Sequence, residues 1–161
     1  MILTASLEDY LEVIYRLNLA GNHSVKVSDI AKELKCQRPT VTRSIQQLVK
    51  KNYVIHPPRK DIQLTPQGET LAKQLLHRHH DILFFLEKIC GLPSQQAEQD
   101  TCQIEHGFSP AASQQLHAFI EAFKQLPDSI KENLKNNMDN EIQKNQYFEA
   151  ILPKQQGGWR Q

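Results

Sequence analysis

The chain has 161 residues, of which 39% are hydrophobic and 23% charged, and its formal net charge is +1. This composition excludes a disordered polypeptide and fits one globular domain or two small ones. No apolar run reaches the roughly 18 to 20 residues that cross a bilayer, and the N-terminus lacks a signal peptide's basic and apolar stretches. We therefore expect a cytoplasmic protein with no membrane partner. Three cysteines at wide spacings favour reduced thiols or one metal ligand over a disulfide framework.

The near-zero net charge is an average over two unlike segments. Residues 1–65 carry a net charge of +4, whereas residues 66–161 carry −3. Most of the positive excess lies in residues 26–60, where nine basic residues face two acidic ones. Such a segment suits a polyanion such as nucleic acid, although a solvated lysine-rich face has the same composition.

The first 50 residues predict three helices. Ser6 is a suitable cap for the first, which ends near Gly21, and Ser28 is the predicted N-cap of a short second helix that stops around Cys36. Pro39 suits the first position of the third helix. Two helices joined by a tight turn, with the second polar and basic on its outer side, predict a helix-turn-helix.

Two short β-type runs follow, at residues 53–56 and 61–64. The segment between them, Pro57-Pro58-Arg59-Lys60, predicts a hairpin with a basic tip, which is the wing of a winged helix. Thr65 and Pro66 then start a long helix that runs to Gly91. Further helices are predicted over residues 94–106, from Ser109 to Pro127 and from Asp128 onward.

The predicted fold is mainly α. We expect a winged helix-turn-helix domain over residues 1–65 and an all-helical domain over residues 66–126. An additional C-terminal helix is predicted over residues 127–152 and a flexible tail over residues 153–161.

Cys102, Glu105 and His106 have the spacing i, i+3 and i+4, which places all three on one face of a helix. A thiolate, a carboxylate and an imidazole on one face can bind a divalent ion, although the same spacing also arises by chance. Further candidate ligands lie on other predicted helices: Asp9, Glu12 and His79. Whether these residues converge depends on the fold, and a lone histidine on an apolar helix face is more commonly a core residue.

Six segments, in one order and with suitable spacing, carry a resemblance to a known family: residues 6–15, 27–31, 39–42, 64–68, 78–79 and 102–109. Together they resemble the diphtheria toxin repressor and manganese transport regulator family over about residues 5–126. The resemblance implies a homodimeric winged-helix repressor that binds operator DNA when Fe²⁺ or Mn²⁺ occupies sites between the N-terminal helix and the dimerisation domain. It therefore implies that residues 66–126 bind metal and dimerise.

The resemblance also assigns ligands. It implies one site made of Asp9, Cys102, Glu105 and His106. A neighbouring site would use Glu12 and His79, sharing Glu105, with Cys102 as a further shared candidate.

Three positions depart from the family pattern and bear on the metal. Manganese-type members have a carboxylate where this chain has Cys102, and iron-type members have Met where it has Asp9. Glu98, an additional candidate ligand, stands where iron-type members have His. Because a thiolate favours softer or more tightly bound ions, we expect Fe²⁺ in preference to Mn²⁺, with Zn²⁺ or Co²⁺ as alternatives.

In a winged helix the second helix of the helix-turn-helix enters the major groove and the wing contacts the backbone. This arrangement makes double-stranded DNA the expected partner. The candidate DNA-binding residues are Arg38, Pro39, Thr40, Thr42, Arg43 and Gln46 on the recognition helix and Arg59 and Lys60 on the wing.

The predicted function is a metal-dependent transcriptional regulator, a repressor of metal-uptake genes, whose dimer is locked by metal into an operator-binding geometry. The alternative is a winged-helix regulator that responds to thiol oxidation or to an organic ligand. We do not expect an enzyme, because the chain has no His-Glu-x-x-His pattern, no nucleophile elbow and no glycine-rich phosphate loop. A metal-storage role would leave the basic segments unexplained.

Overall fold

The computed structural model describes residues 3–21, 25–58 and 60–144. In chain order its elements are α1 (Ala5–Leu19), α2 (Val27–Glu33), α3 (Arg38–Lys50), β1 (Val54–Ile55), β2 (Gln63–Leu64), α4 (Pro66–Phe84) with a π-helical turn (Phe85–Ile89), α5 (Ser94–Ile104) with a 3₁₀ turn (Glu105–Gly107), α6 (Pro110–Lys124) and α7 (Asp128–Lys144). The predicted mainly α architecture is confirmed. Arg59, the end of the predicted C-terminal helix and the predicted tail lie outside the described residues.

Helices α2 and α3 form the predicted helix-turn-helix. The predicted N-cap, Ser28, is wrong, because the N-cap of α2 is Lys26, two residues earlier. The reason is Asp29, whose carboxylate accepts a hydrogen bond from the Lys26 backbone N–H at 3.0 Å. Lys35, at φ +49°, adopts a left-handed conformation that turns the chain toward α3.

One apolar core joins the winged-helix half of the chain to the all-helical half. Leu11 and Ile14 of α1 and Ile45 of α3 are at most 1% exposed, and the same cluster extends to Ala72 and Leu75 of α4. Helix α1 contacts α2 and α3 and packs most extensively along α4. A movement of α1 relative to α4 therefore involves the whole winged helix.

The wing is a short antiparallel ribbon. Val54 pairs with Leu64 and Ile55 with Gln63, and Ile62 forms an isolated bridge with Val25. Each strand has two residues instead of the four predicted, so the hydrogen-bonded ribbon is confined to its base.

The start of α4 is fixed by the predicted cap. The Thr65 hydroxyl accepts a hydrogen bond from the Gly68 N–H at 3.0 Å and donates one to the Asn52 carbonyl at 2.8 Å. Pro66 occupies the first turn, as predicted. Gly68 is buried against the backbone of Tyr53, the residue before β1, so the start of the wing lies directly against α4 here.

The long fourth helix does not stay α-helical to Gly91. Its last turn is π-helical, with the Cys90 N–H donating to the Phe85 carbonyl at 2.9 Å, and Gly91 ends it at φ +74°. Helices α5 and α6 both pack on α4. Ser109 caps α6 by accepting a hydrogen bond from the Ala112 N–H at 3.1 Å. Within the described residues, no helix has both the length and the apolar character needed to cross a membrane.

Candidate metal centre

A cleft of about 370 Å³ lies where α1, α4, α5 and the 3₁₀ turn meet. Seven candidate ligands from the sequence line it: Asp9, Glu12, His79, Glu98, Cys102, Glu105 and His106. Helix α1 supplies the first two, α4 supplies the histidine and the remaining four come from α5 and the turn that follows it. The fold thus brings together residues separated by up to 97 positions in the sequence.

The ligand atoms form two groups with one shared member. The first triad consists of His79, Cys102 and Glu105, and the second triad consists of Asp9, Glu105 and His106. Within each triad the ligand atoms lie within 4.8 Å of one another. The first triad agrees with the implied neighbouring site in which Cys102 was a shared candidate. The second triad contains the other implied ligands, Asp9, Glu105 and His106, without Cys102, and this is the one difference from the implied grouping.

The end of α5 explains part of this difference. The α-helix stops at Ile104, and Glu105 and His106 lie in the tighter 3₁₀ turn. A 3₁₀ turn has 3.0 residues per turn where an α-helix has 3.6, so residues at i and i+4 no longer share a face. The side chains of Cys102 and His106 consequently enter different triads.

Glu105 is the buried centre of the cluster, with 5% of its surface exposed. Its Oε2 lies 2.9 Å from His79 Nδ1, and its Oε1 lies 3.7 Å from His106 Nε2. The second nitrogen of His79, Nε2, lies 3.5 Å from Oε1 of Glu98, whose side chain is half exposed. Each carboxylate oxygen of Glu105 therefore faces a different triad.

The cluster carries an excess of negative charge. Burial raises the pKa of Asp9 and Glu12, and the nearby Glu105 carboxylate raises both further. Burial also raises the pKa of the Cys102 thiol, again with a contribution from Glu105. The hydrogen bond to Glu105 raises the pKa of His79. A cation in the cleft would relieve this repulsion.

The donor set fits a divalent transition metal. Carboxylates and imidazoles bind Mn²⁺ and Fe²⁺, and the thiol adds a softer donor. Each triad could hold one ion, and Glu105 could bind both. Glu12 and Glu98 also line the cleft and are available as further ligands.

Glu8, which is not among the candidate ligands predicted from the sequence, also belongs to this region. Glu8 Oε2 lies 2.7 Å from Arg78 Nη2 and 3.0 Å from His106 Nδ1. Glu8 lies four residues before Glu12 and therefore on the same side of α1. This spacing is the sequence feature from which its position could have been predicted.

The candidate DNA-binding residues occupy the outer face of α3. Its inner face is buried through Val41, Ile45 and Leu48. On the outer face, the predicted recognition residues are all exposed: Arg38, Pro39, Thr40, Thr42, Arg43 and Gln46. Lys60 is exposed on the wing. The polar face of the recognition helix is thus open to a groove of DNA.

Two family profiles match almost the whole described part of the chain. The iron dependent repressor N-terminal DNA binding domain matches residues 2–62, and the iron dependent repressor metal binding and dimerisation domain matches residues 65–132. The chain belongs to the iron-dependent repressor family. It is a metal-dependent, DNA-binding transcriptional regulator that dimerises and binds operator DNA. Family membership also confirms the prediction that it is not an enzyme.

Two relatives in the iron-dependent repressor family resemble this chain over most of their own length. An HTH-type transcriptional regulator of Methanocaldococcus jannaschii is 34% identical over 122 residues, which cover 76% of this chain and 98% of that protein. The HTH-type transcriptional regulator MntR of Lysinibacillus sphaericus is 34% identical over 128 residues, covering 80% of this chain and 91% of that one. The crystal structure of T. acidophilum IdeR matches with a TM-score of 0.60 and 26% identity over 77% of this chain. That alignment spans 55% of the IdeR chain, so this repressor matches about half of that structure.

Proposed function

We propose that the two triads form the metal centre through which this repressor controls operator binding, and that it represses metal-uptake genes. The main support for this proposal is that the candidate ligands come from both halves of the molecule and that the two triads share one buried carboxylate, Glu105. Asp9 and Glu12 lie on α1, which belongs to the winged helix, whereas Glu105 lies beyond α5. We also place the boundary between the two domains at Thr65, which ends the wing and caps α4.

The proposed switch follows from the charges in the cleft. Without a cation, the carboxylates of Asp9, Glu12 and Glu105 repel one another, which favours separation of α1 from the helical domain. A bound divalent ion would supply the positive charge that lets these groups stay close. Because α1 shares a core with α3, the position of α1 sets the orientation of the recognition helix.

Dimer geometry converts this orientation into DNA affinity. Two recognition helices contact successive half-sites only when they lie about 34 Å apart, which is one turn of DNA, or a multiple of it. A change from dimers that mostly cannot bind the operator to dimers that mostly can requires metal to bind the second state more tightly by about 5.5 kcal/mol. One or two well-coordinated ions can provide this difference. We assign phosphate and base contacts to the exposed face of α3 and to Arg59 and Lys60 of the wing.

The test of this function is operator binding with and without metal. Binding sites are first selected from a random duplex library in the presence of anaerobic Fe²⁺, and affinity is then measured by mobility shift with Fe²⁺, Mn²⁺ or chelator. We expect at least a 100-fold loss of affinity in chelator, together with a steep decrease with salt because phosphate contacts release counterions. Equal affinity in metal and in chelator would disprove the switch.

We further propose Fe²⁺ as the preferred ion, on the basis of the Cys102 thiol in the first triad. Two solved structures with a similar fold are described with other ions. One is the manganese regulator SloR, and the other is ScaR with bound Zn²⁺. The carboxylates and imidazoles in the cleft suit Mn²⁺ as well. The thiol is therefore the group that distinguishes the candidates, with Zn²⁺ and Co²⁺ as alternatives.

Replacing Cys102 with Asp tests this preference. We expect the ratio of Fe²⁺ to Mn²⁺ affinity to fall by about 10-fold or more, because a hard oxygen replaces the softer sulfur ligand. Competition titrations of metal-free protein under anaerobic conditions measure the ratio. Cys90→Ser, which lies outside the cleft, serves as the control. An unchanged ratio in Cys102→Asp would show that the thiol does not select the ion.

A further inference from the structure

Glu8 lies at the edge of the metal cleft but belongs to neither triad. One of its carboxylate oxygens, Oε2, accepts hydrogen bonds from two groups on other elements: Arg78 Nη2 of α4 at 2.7 Å and His106 Nδ1 at 3.0 Å. The three side chains are between 13% and 18% exposed, so water has little access to these contacts. We call Glu8, Arg78 and His106 the Glu8 clamp.

We propose that Glu8 is a positioning residue that orients the His106 ring for metal and ties α1 to the helical domain before any ion binds. The proposal rests on the proposed function in so far as it takes His106 as a metal ligand. The tie itself consists of contacts among this chain's own residues and is independent of that function.

The two ring nitrogens of His106 face different partners. Nδ1 is directed at Glu8, whereas Nε2 lies 2.9 Å from Asp9 Oδ1 and 3.7 Å from Glu105 Oε1. When Nδ1–H donates to a carboxylate, the lone pair available to a cation is on Nε2. Glu8 therefore selects the nitrogen that points into the second triad.

Arg78 gives this arrangement a rigid support. It immediately precedes His79 on α4, so the Glu8 clamp and the first triad are attached to the same helical turn. The guanidinium also places a positive charge beside the Glu8 carboxylate. Its buried Nε has no hydrogen-bond partner within the described residues, so the bond that Nη2 donates to Glu8 is the contact that anchors the guanidinium here.

The clamp spans the two halves of the molecule that the proposed switch must join. Glu8 lies on α1 beside Asp9, whereas Arg78 and His106 lie on α4 and on the turn after α5. It consequently limits how far α1 can separate from the helical domain in the metal-free protein. A ligand set that is already assembled loses less conformational freedom on binding an ion.

The experiment compares Glu8→Ala, Glu8→Gln and the wild type, with Glu69→Ala as a matched control. Glu69 is an exposed α4 residue paired with Lys73, far along the helix from Arg78. Calorimetric titration of the metal-free proteins with Mn²⁺ should show a 10- to 100-fold loss of affinity in Glu8→Ala. Glu8→Gln should recover most of it, because an amide oxygen can still accept from His106 and Arg78. Glu69→Ala should bind like the wild type.

Imidazole ¹⁵N NMR of the Zn²⁺-loaded proteins provides a second readout. We expect His106 to coordinate through Nε2 in the wild type and through a mixture of nitrogens in Glu8→Ala. If Glu8→Ala does not fold, Glu8→Asp replaces it; the shorter side chain keeps the charge but loses reach, so affinity should still fall.

Two outcomes would overturn the proposal: wild-type affinity and Nε2 coordination in Glu8→Ala, or equal losses in Glu8→Ala and Glu8→Gln. Failure of the proposed function gives a different result, because the wild-type protein itself would then not bind Mn²⁺. In that case NMR of the metal-free protein still tests the clamp, since the Nδ1–H of His106 should be hydrogen-bonded to Glu8. Absence of that bond would overturn the clamp by itself.

Discussion

Glu105→Gln should abolish metal-dependent operator binding while the protein stays folded. Glu105 belongs to both triads, and its two oxygens face the two histidines. Glutamine has nearly the same shape but offers one oxygen instead of two and no charge. One triad therefore loses a ligand entirely, and the other keeps a weaker one.

The expected loss of metal affinity is at least about 100-fold, because replacing even a residue that only supports a ligand typically costs 10- to 100-fold. Metal titration of the purified protein measures the loss of metal affinity. Mobility shift with the selected operator measures the loss of metal-dependent DNA binding. In chelator, Glu105→Gln and the wild type should bind DNA equally weakly. The substitution acts through the metal centre and leaves the recognition helix intact.

Glu121→Gln is a suitable control, because Glu121 is exposed on α6 and pairs with Lys124. Thermal melting in chelator shows that both variants are folded. A Glu105→Gln protein that still gained operator affinity on adding metal would contradict the assigned centre. It would instead favour regulation by thiol oxidation or by an organic ligand, which does not require this carboxylate.

Gly68→Ala should destabilise the protein by about 2 to 4 kcal/mol, which corresponds to a decrease in Tm of roughly 5 to 15 °C. A Cβ atom at this position would overlap the Tyr53 carbonyl oxygen and lie 2.8 Å from its carbonyl carbon. Both are backbone atoms, so no side-chain rotation can relieve the clash. Alanine normally stabilises a helix by about 0.5 to 1 kcal/mol relative to glycine, which is too little to compensate.

Gly107→Ala is the matched control for this stability measurement. Its Cβ would have no neighbouring atom within 4 Å, and its backbone does not have a positive φ. We expect its free energy of unfolding in chelator to stay within about 0.5 kcal/mol of the wild type. If urea unfolding found Gly68→Ala as stable as Gly107→Ala, the close approach of the wing to α4 would be incorrect.

The elements with strong local signals were predicted well. Thr65, Pro66 and Ser109 mark helix starts through capping and proline geometry that depend on a few adjacent residues, and the structure has them there. Ser28 shows the limit of this reasoning, because Asp29 competes for the same role and its carboxylate caps α2 from one residue further along. Competing caps differ by fractions of a kcal/mol, which a sequence pattern does not resolve.

The chemistry of the site was also readable in part. All seven candidate ligands line one cleft, which the residue types and the family resemblance together predicted. The absence of Cys102 from the triad of Asp9 and His106 was not predicted, because it depends on where α5 changes to a 3₁₀ turn. Glu8 was missed because its partners, Arg78 and His106, lie 70 and 98 residues away.

The sequence by itself determined the helical periods, the capped helix starts, the basic segment and the kinds of donor available to a metal. These properties follow from neighbouring residues and from side-chain chemistry. Only the tertiary structure decided that Cys102 lies with His79 and outside the triad of Asp9 and His106, and that Glu8 joins α1 to α4. The physical reason is that contacts between distant residues depend on how the helices pack, and a shift of a few ångströms in packing exchanges one set of partners for another.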